Sequence, residues 1–113
     1  MLKLIESSTK KINYNEIDNN NIKNIYEYFD DNNLVGYGIL TNIENSKIYI
    51  LIKKEYRNKG YGTKLFKELL LIENKDTKVT CNNQIMRRII GKYNGIEISR
   101  DEGYILYIIP KIK

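Results

Sequence analysis

Arg57-Asn58-Lys59-Gly60-Tyr61-Gly62-Thr63 is the stretch best equipped for chemistry. It is basic, small and rich in glycine. The residues before it, Ile48-Tyr49-Ile50-Leu51-Ile52, form an unbroken apolar run of strand-forming types, as in a strand buried on both faces. After it, Leu65, Phe66, Leu69, Leu70 and Ile72 recur at helical spacing. A glycine turn leading from a strand into a helix aims successive backbone N–H groups at one point. The positive end of the helix dipole lies behind them. This is an anion site, most naturally for phosphate.

Two phosphate motifs fail on spacing. The P-loop needs a Lys and a Ser or Thr directly after its second glycine, and the glycines here are too close together. The dinucleotide fingerprint needs a third glycine where Leu65 stands, and an acidic residue where Cys81 ends the next strand. What remains is Arg-x-x-Gly-x-Gly, spanning Arg57 to Gly62, preceded by Glu55-Tyr56 and followed by Leu65.

In that setting of strand, loop and helix, the segment resembles the acyl-CoA loop of the GNAT family of N-acetyltransferases. The resemblance covers about residues 24–109 and implies acetyl-CoA as cosubstrate and an amine acceptor, a small molecule or a protein lysine. It implies backbone roles for Ile50, Leu51 and Ile52: Ile52 bonding the pantetheine arm, and the Ile50 N–H facing the thioester oxygen. The N–H groups of Asn58, Lys59, Gly60, Tyr61, Gly62 and Thr63 would wrap the diphosphate, and a Cβ at Gly60 or Gly62 would obstruct it. Arg57 would hold the loop in shape or touch phosphate. Lys59 would reach a phosphate or stay solvated. Asn83 would bond pantetheine or simply cap a helix.

The catalytic acid departs from the family pattern. Where the family carries a Tyr, seven residues after Asn83, this chain has Ile90. Tyr93 is the candidate substitute. Glu44 and Glu55 are the carboxylates nearest the strand and the loop, each a water-mediated base or a plain surface residue. A missing general acid should slow acyl transfer about 10²-fold without abolishing it. The alternative reading is therefore a non-catalytic acyl-CoA-binding or protein-interaction module.

The elements that must position these groups follow from the pattern. The chain has 113 residues with 42% hydrophobic content, enough for a single domain over 1–113 with one core. Leu2–Ile5 reads as a strand, and residues 6–24 as one short helix or a surface connection. The family usually has two helices there, so the acceptor side should be open. Residues 24–29 and 34–40 make a hairpin about Asp30–Asn33. After the first long helix, Thr77–Cys81 should be a strand parallel to Ile48–Ile52. A second helix follows, with Ile85, Met86, Ile89 and Ile90 as its apolar face and Arg87, Arg88 and Lys92 as its wet face. A closing hairpin over 96–109 ends at Pro110. The expected fold class is α+β: a GNAT-like mixed, mostly antiparallel sheet in a three-layer α/β sandwich, built around a central strand–glycine loop–helix–strand unit.

Composition excludes several classes. The chain has no histidine and one cysteine, which argues against zinc or any other metal site and against Ser-His hydrolysis. A lone cysteine fits a reducing compartment, hence a cytoplasmic protein. No segment has the roughly 20 apolar residues of a membrane span. The net charge of +5 suits a polyanionic cosubstrate. Nucleic acid would have to use Arg87, Arg88, Lys92 and the Lys111-Ile112-Lys113 tail, a small patch with no accompanying motif.

Overall fold

A computed structural model describes residues 1–7, 19–45 and 47–112. Strand β1 (Leu2–Glu6) pairs antiparallel with β2 (Ile22–Asp30), β2 with β3 (Asn33–Thr41), and β3 with β4 (Ile48–Ile52). The β2–β3 turn is two residues long. It is made by Asp31, whose short polar side chain tolerates the left-handed conformation (φ 54°), and Asn32. The glycine loop follows β4 and opens helix α1 (Tyr61–Glu73), which ends on a left-handed Asn74. Strand β5 (Thr77–Cys81), helix α2 (Gln84–Lys92), and the hairpin β6 (Ile96–Asp101) and β7 (Tyr104–Ile109) complete the chain. This is the small α+β arrangement expected. The short helix expected around Ser8 or Thr9 falls outside the described residues.

Strand β5, expected to run parallel to Ile48–Ile52, forms no ladder with β4. Among the described residues every ladder is antiparallel. The strands divide into a four-stranded sheet ordered β1-β2-β3-β4 and a three-stranded sheet ordered β5-β7-β6. β5 takes its partner from β7 instead (Thr77 opposite Ile109, Cys81 opposite Ile105). One core still spans both sheets. Tyr28, Val35, Leu40 and Ile48 from the first sheet meet Val79, Cys81 and Ile109 from the second, around Leu65, Phe66 and Leu69 of α1 and Ile89 and Ile90 of α2. The Thr80 hydroxyl donates to the Asn45 carbonyl at 2.6 Å, tying β5 to the β3–β4 turn.

Helix α1 lies on the first sheet through Leu65, Phe66, Leu69 and Leu70, all buried. Each contributes about 1.5–3 kcal/mol by leaving water. Ile72, expected on the same stripe, is 43% exposed, because the buried stripe continues at Glu73, whose side chain is 4% exposed and pairs with Lys23 of β2 at 3.6 Å. The seat for this face is Gly38 on β3. A Cβ there would stand 2.8 and 2.9 Å from the two Leu69 methyls and 3.2 Å from a Leu65 methyl. Gly38→Ala should therefore destabilise by about 1–3 kcal/mol through overpacking. Leu69→Val, which removes one methylene, should recover part of that loss. Urea midpoints of the two single variants and the double would show it; strictly additive losses would refute the contact as the cause.

Candidate functional site

In an antiparallel ladder, facing residues alternate between pairs that exchange both hydrogen bonds and pairs that exchange none. Two bonds fix the phase between β3 and β4. The Lys53 N–H donates to the Val35 carbonyl at 2.9 Å, and the Thr41 N–H to the Lys47 carbonyl at 2.8 Å. With Gly36 opposite Ile52, Gly38 opposite Ile50 and Leu40 opposite Ile48, these are the non-exchanging pairs. The N–H and C=O groups of Ile48, Ile50 and Ile52 therefore point away from β3. Beyond them β4 is a sheet edge, with no strand paired to it among the described residues.

That edge opens on a cleft of about 610 Å³. Ile50, Leu51 and Ile52 form one wall. Asn58, Gly60, Tyr61, Gly62 and Thr63 form its end. Asn83, Met86, Arg88, Ile89 and Lys92 of α2 form the facing wall. Of the residues expected at the site, Ile50, Leu51, Ile52, Arg57, Asn58, Gly60, Tyr61, Gly62, Thr63 and Asn83 all border this space. Lys59 and Tyr93 do not.

The loop gets its shape from three local features. A single 3₁₀ turn covers Lys54–Tyr56. Asn58 and Gly60 both adopt left-handed backbone, at φ 63° and 85°. Arg57 Nε donates to the Ile52 carbonyl at 3.0 Å, closing the loop onto the end of β4. Arg57 thus shapes the loop through a backbone contact. Lys59 leans over the Tyr56 ring, its Nζ 5.9 Å from the centroid. The Tyr61 hydroxyl donates to Asp30 Oδ2 at 2.6 Å, anchoring the start of α1 to the β2–β3 turn. That bond holds the Asp30 carboxyl below its ordinary range and pushes the Tyr61 phenol up.

Helix α1 begins without a side-chain cap, because Gly60 occupies the N-cap position. The first backbone bond into the helix runs from the Lys64 N–H to the Gly60 carbonyl. The N–H groups of Tyr61, Gly62 and Thr63 therefore precede any intrahelical partner and stand at the end of the cleft. A Cβ at Gly62 would meet Ile50, Ile89 and Ile52 side-chain carbons at 3.5, 3.7 and 3.9 Å, ordinary contact distances on the cleft's inner surface. At Gly60 a Cβ would meet nothing, but the positive φ disfavours any other residue there.

Helix α2 departs from its expected pattern in two ways. Ile85, assigned to the apolar face, is 68% exposed, because that side of the helix faces the open cleft and not the core. Arg88 and Lys92, read as a solvated face, border the cleft. The missed signal is the spacing of Ile85, Arg88, Ile89 and Lys92, which sets them on one stripe. Asn83 does cap the helix: its Oδ1 accepts from the Met86 N–H at 2.8 Å, leaving its Nδ2 with only a 3.4 Å contact to Asn82. Ile90, where the resemblance implies a tyrosine, is fully buried.

Tyr93 closes α2 as its C-cap. Its ring stacks on Phe66, with centroids 6.2 Å apart and planes at 26°. Its hydroxyl donates to the Thr63 carbonyl at 3.1 Å, and burial pushes that hydroxyl's pKa up. The side chain is thus spent on joining α2 to the first turn of α1. Glu44 and Glu55 are exposed and lie outside the cleft lining. Among the described residues no cluster of three metal-ligating side chains occurs, and no helix is long and apolar enough to cross a membrane.

A family model described as an acetyltransferase (GNAT) domain matches residues 21–106, most of the chain. No curated protein matches.

Proposed function

The chain belongs to the GNAT acetyltransferase family, and from that premise we propose that it moves an acetyl group from acetyl-CoA to an amine. The observation that carries this reading is a line of backbone N–H groups. The outward edge of β4 at Ile50 and Ile52 leads into the uncapped start of α1, within one cleft bordered by no Asp or Glu among the described residues.

Each residue's task follows from where its polar atoms point. The N–H groups of Tyr61, Gly62 and Thr63, with the Asn58–Gly60 turn, take the diphosphate, and the helix dipole adds to their pull. The Ile52 N–H pairs with the pantetheine amides as a neighbouring strand would; its carbonyl is already taken by Arg57. Asn83 caps α2 with its oxygen and turns its amide nitrogen to the same arm. The Ile50 N–H stands at the thioester oxygen and stabilises the charge that builds there when the amine nitrogen attacks the carbonyl carbon. The nitrogen gives its extra proton to solvent, the C–S bond breaks, and the departing thiolate takes a proton from solvent. This reading gives Tyr93 no part in that transfer, since its hydroxyl donates to the Thr63 carbonyl and it lies outside the cleft lining.

A second reading, acyl-CoA binding without turnover, draws on buried Ile90 at the position of the expected acid. One pair of measurements separates the two. Acetyl-CoA at about 100 times its Kd should stabilise the protein by about 2.7 kcal/mol, seen as a rise in Tm. Thiol release should then depend on added amine. A Tm shift without amine-dependent release would establish the binding module, and no shift at all would defeat both.

A further inference from the structure

Three cations project from α2, and the fold separates them. Arg87 borders a smaller pocket beside Arg100 and Asp101. Arg88 and Lys92 face the large cleft, one helical turn apart. Neither takes part in an ion pair resolved among the described residues. Two like charges on adjacent turns repel, so an anion seated between them would relieve the helix as well as bind to it.

Their place along the cleft is set by the contacts that fix α2. The Tyr93 hydroxyl holds the Thr63 carbonyl, and the Tyr93 ring lies on Phe66. Ile89, between the two cations in sequence, has its Cδ1 3.7 Å from where a Gly62 Cβ would sit. The second half of α2 is thus pressed against the first turn of α1, the turn whose N–H groups have no helical partner. Arg88 and Lys92 therefore belong to the phosphate end of the cleft, on the wall opposite β4. We propose that these two side chains clamp the cosubstrate's diphosphate from the α2 side while the α1 amides hold it from the other. The proposal rests on the acetyl-CoA reading above and adds two specificity-determining residues to it.

The test compares thioesters with and without phosphates. Arg88 and Lys92 are both exposed, so Arg88→Gln and Lys92→Gln should change the apo Tm little, by no more than the small relief of their mutual repulsion. Each should weaken acetyl-CoA binding about 10-fold, in line with the loss of a charge-assisted contact. The double variant should lose more, with a shallower salt dependence. Acetyl-dephospho-CoA, which keeps the diphosphate but lacks the 3′-phosphate, should suffer the same losses. S-acetylpantetheine, which has no diphosphate, should bind wild type and variants alike. Arg88→Lys should recover most of the affinity. Equal acetyl-CoA affinity in wild type and the double variant would overturn the clamp while leaving the acetyl-CoA reading intact. A loss confined to the 3′-phosphorylated ligand, or one shared by S-acetylpantetheine, would overturn it equally. Failure of the wild type to bind acetyl-CoA would remove the underlying reading and the clamp together.

Discussion

Gly62→Glu should raise the melting temperature of the free protein and abolish the further rise caused by acetyl-CoA. The two effects have opposite signs because one position serves two ends. Gly62 is the second residue of α1, where a glycine costs about 1 kcal/mol relative to a good helix former, with less at stake near the end. A carboxylate in the first turn also interacts favourably with the helix dipole, by about 0.3–1 kcal/mol. The backbone there is helical, and a Cβ makes only ordinary contacts with Ile50, Ile52 and Ile89. The fold therefore accepts the side chain. The cleft does not: the carboxylate occupies the space before the Tyr61, Gly62 and Thr63 amides and repels a diphosphate. We expect at least a 10²-fold loss of affinity, read by titration calorimetry alongside the thermal scan. A variant that melts higher and still binds acetyl-CoA as the wild type does would place the phosphates elsewhere. Gly60 is the poorer choice, because at φ 85° a side chain strains the loop and mixes the two effects.

The second large effect is expected from Phe66→Ala. Phe66 is fully buried, and its removal should cost about 3–5 kcal/mol. That is a large share of the 5–15 kcal/mol typical of a domain. It should also weaken acetyl-CoA binding by the molecules that remain folded, because the ring is the platform for Tyr93 and so for the α2 wall. Leu70→Ala separates these consequences. Leu70 is nearly as buried, but lies one turn further along α1 from the cleft. Its loss should cost about 2–5 kcal/mol and leave affinity unchanged at temperatures where the chain is folded. Equal affinity losses in both variants would mean that general loosening, not the aromatic stack, controls the cleft.

Much of this arrangement is legible in the chain because it is local. The apolar run of Ile48–Ile52, the glycines after it and the stripe of Leu65, Phe66, Leu69 and Leu70 each declare an element by composition and period. β4 and β5 begin and end where the residue types change. What was not legible depends on partners distant in sequence. The outward aim of the Ile50 and Ile52 amides was implied by the family resemblance alone, because it depends on how β3 and β4 are registered, which no single strand encodes. That β5 pairs with β7 and not with β4 is decided by a strand about 25 residues later. Tyr93 carries no mark of its bond to Thr63, 30 residues away. Ile85 and Arg88 looked like core and surface because a helix beside an open cleft has a third side, part wet and part walled. Hydropathy has no symbol for that.

Gly36 and Gly38 put no side chain on β3 opposite Ile52 and Ile50. At Gly38 the Leu69 methyls fill the vacancy, so the helix rides lower than an alanine would permit. The depth of that seat sets how far the α1 amides stand from the Ile50 N–H. In the proposed enzyme those are the two fixed marks between which a diphosphate and a thioester carbonyl must both fit. On the acetyl-CoA reading, Gly38 is thus a gauge for the length of the donor's arm, cut into a strand that lies outside the cleft lining.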